Sequence, residues 1–99
     1  MNTGKLAVGY VGVGLMGLPM VTRLASLGYP VRAYDIVAAQ NEKARAAGAT
    51  VAASPADATR GVDLVLLNLP TTDAVEQAVF GDRGVASAIA PPQLVVDFS

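Results

Sequence analysis

The stretch that decides the fold is GYVGVGLMGLPM, residues 9–20 of a chain of 99 residues. It contains the pattern G-x-G-x-x-G, formed by Gly12, Gly14 and Gly17. A short apolar run precedes the pattern, and a glycine-free run with helical character follows it as far as Leu27. Glycines between a strand and a helix permit a tight turn and close packing of the helix on the strand. The stretch therefore predicts a strand, a turn and a helix in direct succession.

The rest of the chain continues this alternation of strand and helix. Alanine and valine together make up about a third of the residues, and Gly or Pro stands at most junctions between Val-rich and Ala-rich runs. Such alternation predicts an α/β domain with parallel strands. We expect strands at residues 5–11, 31–34, 50–52, 64–68 and 94–98, and helices at 16–27, 38–47, 55–60, 73–80 and, as a short piece, 84–90.

Two helix starts carry capping signals, and the connections set the strand order. Ser54 before Pro55 predicts an N-cap and a first helical residue, and Asp73 with Glu76 suggests a capping box. Right-handed crossovers then give the order 3-2-1-4-5, with the apolar run 64–68 in a central place. We predict a Rossmann-type doubly wound parallel sheet of five strands. Because this fold has a sixth strand when complete, we expect a fragment, truncated before that strand.

The composition excludes several kinds of chemistry. The chain has no Cys and no His, which excludes disulfides, a thiol nucleophile, a Ser-His-Asp triad and the common zinc sites. The net charge of −1 and the absence of a Lys/Arg run argue against a nucleic-acid partner. No uncharged run is long and unbroken enough for a bilayer span, and no signal-peptide pattern is present. We therefore expect one cytoplasmic domain with no metal, membrane or nucleic-acid partner.

The glycine pattern has the surroundings of a dinucleotide site. The predicted second strand ends in Asp35, 18 residues beyond Gly17. Gly12 permits the tight turn, Gly14 lets a pyrophosphate approach the backbone, and Gly17 lets the helix pack closely. The free amides at the start of that helix attract phosphates. We predict NAD as the cofactor, because Asp35 can accept a hydrogen bond from the ribose 2′-hydroxyl and repels the 2′-phosphate of NADP.

Simpler interpretations of these residues stay open. The glycines can form an ordinary strand-to-helix turn, and Asp35 can be a solvated loop carboxylate. Arg32 is a competing signal, because its guanidinium can receive the 2′-phosphate of NADP. Period-2 alternation instead directs Arg32 to the face opposite Asp35, which favours a solvated charge.

Several stretches resemble one enzyme family. Residues 9–20 resemble the G-x-G-x-M-G-x-x-M signature of the β-hydroxyacid dehydrogenases, which include 3-hydroxyisobutyrate dehydrogenase, tartronate semialdehyde reductase and 6-phosphogluconate dehydrogenase. The likeness is greatest to 3-hydroxyisobutyrate dehydrogenase, because NADP-using relatives usually have Asn-Arg where this chain has Asp35-Ile36. Further family landmarks occur in the family order: LGYPVRAYD (27–35), SPAD (54–57), NLPTTDAV (68–75), the G-x-x-G turn (81–84) and VVDFS (95–99).

With the resemblance, individual residues receive expected roles. Leu69 and Pro70 would lie along the cofactor after the fourth strand, although they can equally be a simple strand stop. Ser99 would begin the D-x-S-T segment that binds substrate. The expected cofactor-binding residues are Gly12, Val13, Gly14, Leu15, Met16, Gly17, Asp35, Leu69 and Pro70.

The resemblance also places the catalytic group outside this sequence. The family's general acid/base is a Lys in a G-x-x-G-x-G-x-x-x-K segment beyond residue 99, followed by an all-helical domain, and we expect Lys5 and Lys43 to be surface charges. The resemblance implies a homo-oligomeric oxidoreductase that transfers hydride between NAD and a small 3-hydroxy acid. We expect no catalytic residue and no activity in these 99 residues alone. The alternatives are a non-catalytic nucleotide-binding module and an NADP-linked semialdehyde or glyoxylate reductase.

Overall fold

Strands and helices alternate throughout the computed structural model, which describes residues 6–14, 17–90 and 92–97. Among these residues, every helix is too short or too polar to cross a membrane. The elements are β1 (Val8–Val11), α1 (Gly17–Ser26), β2 (Val31–Tyr34), α2 (Ala38–Ala46), β3 (Thr50–Val51), α3 (Pro55–Thr59), β4 (Leu64–Leu67), α4 (Thr72–Phe80), a 3-10 helix (Val85–Ser87) and β5 (Leu94–Asp97).

The five strands form one parallel sheet in the order β3-β2-β1-β4-β5. In the centre, Val8 of β1 pairs with Val31 of β2 on one side and with Leu64 of β4 on the other. All four residues of β1 are buried, as expected for a strand that is covered on both faces. The predicted fold class and strand order are therefore confirmed.

Helices cover both faces of the sheet. Successive side chains of β4 point to opposite faces, so Leu66 belongs to one buried cluster and Val65 to the other. The cluster around Leu66 includes Val21 of α1, and the cluster around Val65 includes Ala78 of α4. The first two helices thus lie on one face, and the later helices lie on the other.

Some element boundaries differ from the predicted ones. β1 begins at Val8 rather than at residue 5, because its pairing starts opposite the first residues of β2 and β4. β4 ends at Leu67, one residue early, although the Asn68 amide still donates to the Val11 carbonyl at 2.9 Å. The predicted helix at 84–90 is a single 3-10 turn. The predicted helix start at Met16 lies outside the described residues.

The start of α4 corrects the predicted capping box at Asp73. The N-cap is Thr71, which has extended backbone and whose hydroxyl accepts from the Ala74 amide at 3.0 Å. Asp73 is already helical, in the first turn, where its carboxylate faces the positive end of the helix dipole. The cap predicted for α3 is confirmed, since the Ser54 hydroxyl accepts from the Asp57 amide at 3.0 Å.

Candidate functional site

A cleft of about 740 Å³ opens beyond the carboxyl ends of β1, β2 and β4. Its walls come from the glycine turn after β1, from residues 34–37 around the end of β2, and from residues 68–78 after β4. The strand order reverses at β1, which has β2 on one side and β4 on the other. In open parallel α/β sheets, ligands bind at such a reversal point. The cleft therefore lies where this fold binds its ligands.

Two glycines of the turn are required by close backbone packing. Gly12 has a φ of +97°, and a Cβ at this position would lie 2.2 Å from the Asn68 carbonyl oxygen. A Cβ on Gly17 would lie 2.6 Å from the carbonyl oxygen of Gly12, because the start of α1 rests directly on the turn. The tight turn and the close helix packing predicted for these two residues are present.

Gly14 differs from its two neighbours in the pattern, because it faces open space. A Cβ at Gly14 would meet no atom of the described residues within 4 Å, although Gly14 lines the cleft. Any larger side chain would therefore stand in the cleft itself. Val13 is not among the described residues that line the cleft, since the whole residue is buried. Leu15 and Met16 lie outside the described residues.

The carboxylate of Asp35 connects the glycine turn to the start of α2. Its Oδ2 accepts from the amide of Val13 at 2.8 Å and from that of Gly14 at 3.3 Å. Its Oδ1 accepts from the amide of Val37 at 2.8 Å. The residue is half-buried and lines the cleft. The alternative of a solvated loop carboxylate is therefore wrong.

Asn41, which the sequence analysis missed, holds the backbone of Asp35. The Asp35 amide donates to Asn41 Oδ1 at 2.8 Å, and Asn41 Nδ2 donates to the Asp35 carbonyl at 2.8 Å. Asn41 is the fourth residue of α2. An Asn inside a mostly exposed helix gives no signal by itself, so only the fold reveals this contact.

Gln40 is a second residue that the sequence analysis missed. Its Oε1 is buried and has no hydrogen-bond partner among the described residues, and the residue lines the cleft beside Asp35. An unpaired buried acceptor costs about 1–3 kcal/mol, so a ligand that donates a hydrogen bond here would remove that cost. Ala74 and Gln77 of α4 also line the cleft, beyond the predicted Leu69 and Pro70.

The charged side chains that line the described cleft are all acidic: Asp35, Asp73 and Asp82. Arg32, the competing candidate, is not among the described residues that line the cleft, and it is a partly exposed charge bound to backbone carbonyls rather than a fully solvated one. Its Nη1 donates to the carbonyls of Asp57 and Arg60, both at 2.8 Å. Arg32 therefore ties β2 to α3 and does not offer a free guanidinium to the cleft.

Lys43 and the phenol of Tyr10 are not among the groups that line the cleft. Lys43 lines a neighbouring groove of about 600 Å³ along α1 and α2. Burial raises the pKa of the Tyr10 phenol above its usual value, an effect that a 3.5 Å hydrogen bond from Asn68 Nδ2 opposes in part. The described residues contain no group of three His, Cys, Asp or Glu side chains that could hold a metal ion. Lys5 and Ser99 lie outside the described residues.

Comparison with known proteins gives consistent matches over nearly the whole chain. A family model for the NAD-binding domain of 6-phosphogluconate dehydrogenase matches residues 7–99. The 3-sulfolactaldehyde reductase of Escherichia coli (strain K12) is 34% identical over 93 residues, covering 94% of this chain and 31% of that protein. The NAD-dependent L-serine dehydrogenase of Pseudomonas aeruginosa is 38% identical over 92 residues, covering 93% of this chain and 31% of that protein.

Solved structures match in the same region. The 3-hydroxyisobutyrate dehydrogenase of Mycobacterium tuberculosis with L-serine superimposes with a TM-score of 0.82 at 29% sequence identity. The match covers 93% of this chain and 31% of that chain. The present chain thus spans about a third of the length of each of these three relatives.

Proposed function

Because the chain belongs to the family of NAD-binding domains typified by 6-phosphogluconate dehydrogenase, we propose that it is the cofactor-binding part of a hydroxyacid oxidoreductase. The resemblance to the β-hydroxyacid dehydrogenases is confirmed by this membership. The proposed reaction is hydride transfer between NAD and a small 3-hydroxy acid, such as 3-hydroxyisobutyrate. The names of the relatives, which are dehydrogenases and a reductase of small molecules, support this class of substrate.

The observation that carries the proposal is the position of Asp35 beside the glycine turn at the cleft. A carboxylate has about four lone-pair sites, so one that accepts three amide hydrogen bonds can still accept a ribose hydroxyl. Gly14 leaves the backbone open to a pyrophosphate at the start of α1. The residues present therefore fit NAD, which would supply the hydride acceptor or donor.

The remaining residues receive roles by the same proposal. Leu69 and Pro70 line the cleft and would pack against the cofactor. Val13, whose amide donates to Asp35, would hold the glycine turn beside the ribose carboxylate, and Leu15 and Met16 would complete the pyrophosphate site. Ser99 would contact the substrate. We assign proton transfer to the Lys that the family resemblance places beyond residue 99, and the all-helical domain that follows this Lys would support a homo-oligomer.

The charge of the cleft supports NAD over NADP. The carboxylate of Asp35 would stand beside the 2′-position of the ribose, and the described lining offers no basic side chain to an additional phosphate. Arg32 donates to the α3 carbonyls instead. A repulsion of roughly 1–2 kcal/mol corresponds to a preference for NAD of about 5- to 30-fold.

Calorimetric titration of the chain with NAD and with NADP tests the proposal. We expect NAD to bind about 5- to 30-fold more tightly. Asp35→Asn should bring the two affinities close together, because it removes the charge and keeps one oxygen acceptor. Asp73→Asn is the matched control, since it removes an equal charge from the α4 wall of the same cleft. Equal affinities in the unaltered chain, or an unchanged ratio in Asp35→Asn, would exclude the assigned role of Asp35.

A further inference from the structure

We propose that Asn41 is a positioning residue for cofactor selection: its side-chain amide holds the backbone of Asp35 and so sets the carboxylate that distinguishes NAD from NADP. The inference rests on the proposed function. Asn41 does not line the cleft, so its influence on the cofactor passes through Asp35. No sequence motif pointed to this residue.

The contact replaces strand pairing at a point where the sheet has ended. Tyr34 is the last residue of β2 and the last to pair with β1, where it lies opposite Val11. The N–H and C=O of the next residue, Asp35, therefore lie beyond the ladder. Asn41 takes both of them, accepting from the amide and donating to the carbonyl, each at 2.8 Å. Its side chain thus acts toward Asp35 as a neighbouring strand would.

The chemistry of this contact requires a primary amide. Asn carries one acceptor oxygen and a donor nitrogen on the same planar group, whereas Asp lacks the donor and Leu lacks both. The position in α2 also fits, because helical side chains lean toward the N-terminus of their helix. From the fourth residue of α2, the amide of Asn41 reaches back to the end of β2.

The start of α2 is bound to the carboxylate of Asp35. The N-cap residue Val37 makes no side-chain capping bond. Its amide donates instead to Oδ1 of Asp35, whose Oδ2 accepts from the glycine turn. Asp35 therefore joins three segments, and Asn41 holds the backbone from which its carboxylate extends. Without Asn41, Asp35 would be held only through its carboxylate, which would then also sample orientations that neither meet a ribose hydroxyl nor oppose a phosphate.

The variant Asn41→Ala tests this inference by calorimetry with NAD and NADP. We expect binding of NAD to weaken by about tenfold, because the ordering of Asp35 that Asn41 provides would have to be supplied on binding instead. Binding of NADP should change less, because a more mobile Asp35 carboxylate also repels the 2′-phosphate less. The ratio of the affinity for NAD to the affinity for NADP should therefore fall. The matched control is Glu42→Ala, which removes the next, exposed side chain of α2 and its ion pair with Arg45. This control should bind both cofactors as the unaltered chain does.

Amide hydrogen exchange in the absence of cofactor provides an independent readout. The Asp35 amide should be protected in the unaltered chain and should exchange at least about tenfold faster in Asn41→Ala, with the amides of β1 and β4 unchanged. If the unaltered chain binds no NAD, the proposed function fails and the inference fails with it. If the unaltered chain binds NAD, and Asn41→Ala has the same affinity for NAD and the same ratio of NAD to NADP affinities, the inference alone is overturned. Equal weakening in Glu42→Ala, or loss of protection throughout the sheet in Asn41→Ala, would also overturn it.

Discussion

At the scale of single residues, the carboxylate of Asp35 connects the glycine turn to the start of α2. It accepts from the amides of Val13 and Gly14 in the glycine turn. These hydrogen bonds hold the glycine turn in one conformation. Binding of a ligand therefore does not have to include the free-energy cost of ordering the turn. The spacing from Gly17 predicted the place of Asp35. Its contact with the turn depends on a side-chain rotamer that no spacing reveals.

Replacement of Gln40 should change both the free energy of unfolding and the affinity for NAD. Because its buried Oε1 has no partner among the described residues, Gln40→Leu should stabilise the cofactor-free chain by about 1 kcal/mol. The same change should weaken NAD binding by about three- to tenfold, since the lost oxygen would accept from a ribose hydroxyl. Denaturant unfolding and calorimetry on the same preparations measure the two effects.

The control for Gln40 is Gln77→Leu, an identical replacement at an exposed position on the α4 wall of the cleft. This variant should leave the free energy of unfolding within about 0.5 kcal/mol of the original value, as most surface substitutions do. If Gln40→Leu destabilises the chain instead, its oxygen has a partner in solution. The assignment of that oxygen to the cofactor would then be withdrawn.

At the scale of elements, local patterns predicted which elements form better than where they begin. The run 64–68 predicted β4 because a strand buried on both faces is nearly all apolar. The start of α4 was misplaced because Asp73 and Thr71 are both good N-cap residues, and the choice depends on the backbone after Pro70. The contact between Asn41 and Asp35 could not be predicted for a related reason. It joins α2 to the end of β2, and the relative placement of these two elements is defined only by the packed sheet.

The edge strand β5 carries an element-scale prediction. No described strand lies beyond it in the sheet, and Leu94 and Val95 are 60% and 39% exposed. Unpaired backbone groups beside apolar side chains favour pairing with another chain. We expect the 99-residue chain to associate with itself as its concentration rises, as measured by sedimentation velocity. Leu94→Lys should suppress this association, because a charged edge residue opposes strand pairing.

Phe80 supplies the control for this association. It is 78% exposed at the end of α4, away from the strand edge, so Phe80→Lys removes a similar apolar surface from a helix. If Phe80→Lys suppresses association and Leu94→Lys does not, the contact lies on the helical face. A chain that stays monomeric at every concentration would exclude β5 as a self-association edge.

At the scale of the whole molecule, the site is a product of topology. The glycine turn, Asp35 and Leu69 are far apart in sequence, and the strand order brings them to one cleft. That order was predictable, because alternation and right-handed crossovers leave few arrangements for five parallel strands. The positions of Gln40 and Gln77 at the cleft were not predictable. The rotation of each helix against the sheet decides which of its residues face the cleft, and the sequence pattern does not define that rotation.

The whole-molecule prediction is that this chain binds NAD and does not oxidise hydroxy acids. The described residues that line the cleft include no Lys, and Lys43 lines the neighbouring groove instead. General acid/base catalysis contributes about 10²- to 10⁴-fold, and the positioning of substrate contributes more. Absorbance of NADH should therefore stay at background with 3-hydroxyisobutyrate or L-serine at saturating NAD. The L-serine dehydrogenase of Pseudomonas aeruginosa serves as the positive control for the assay, and calorimetry on the same sample confirms that NAD is bound. Turnover above background would mean that a cleft carboxylate such as Asp73 accepts the proton, and the catalytic group would then have to be sought within these 99 residues.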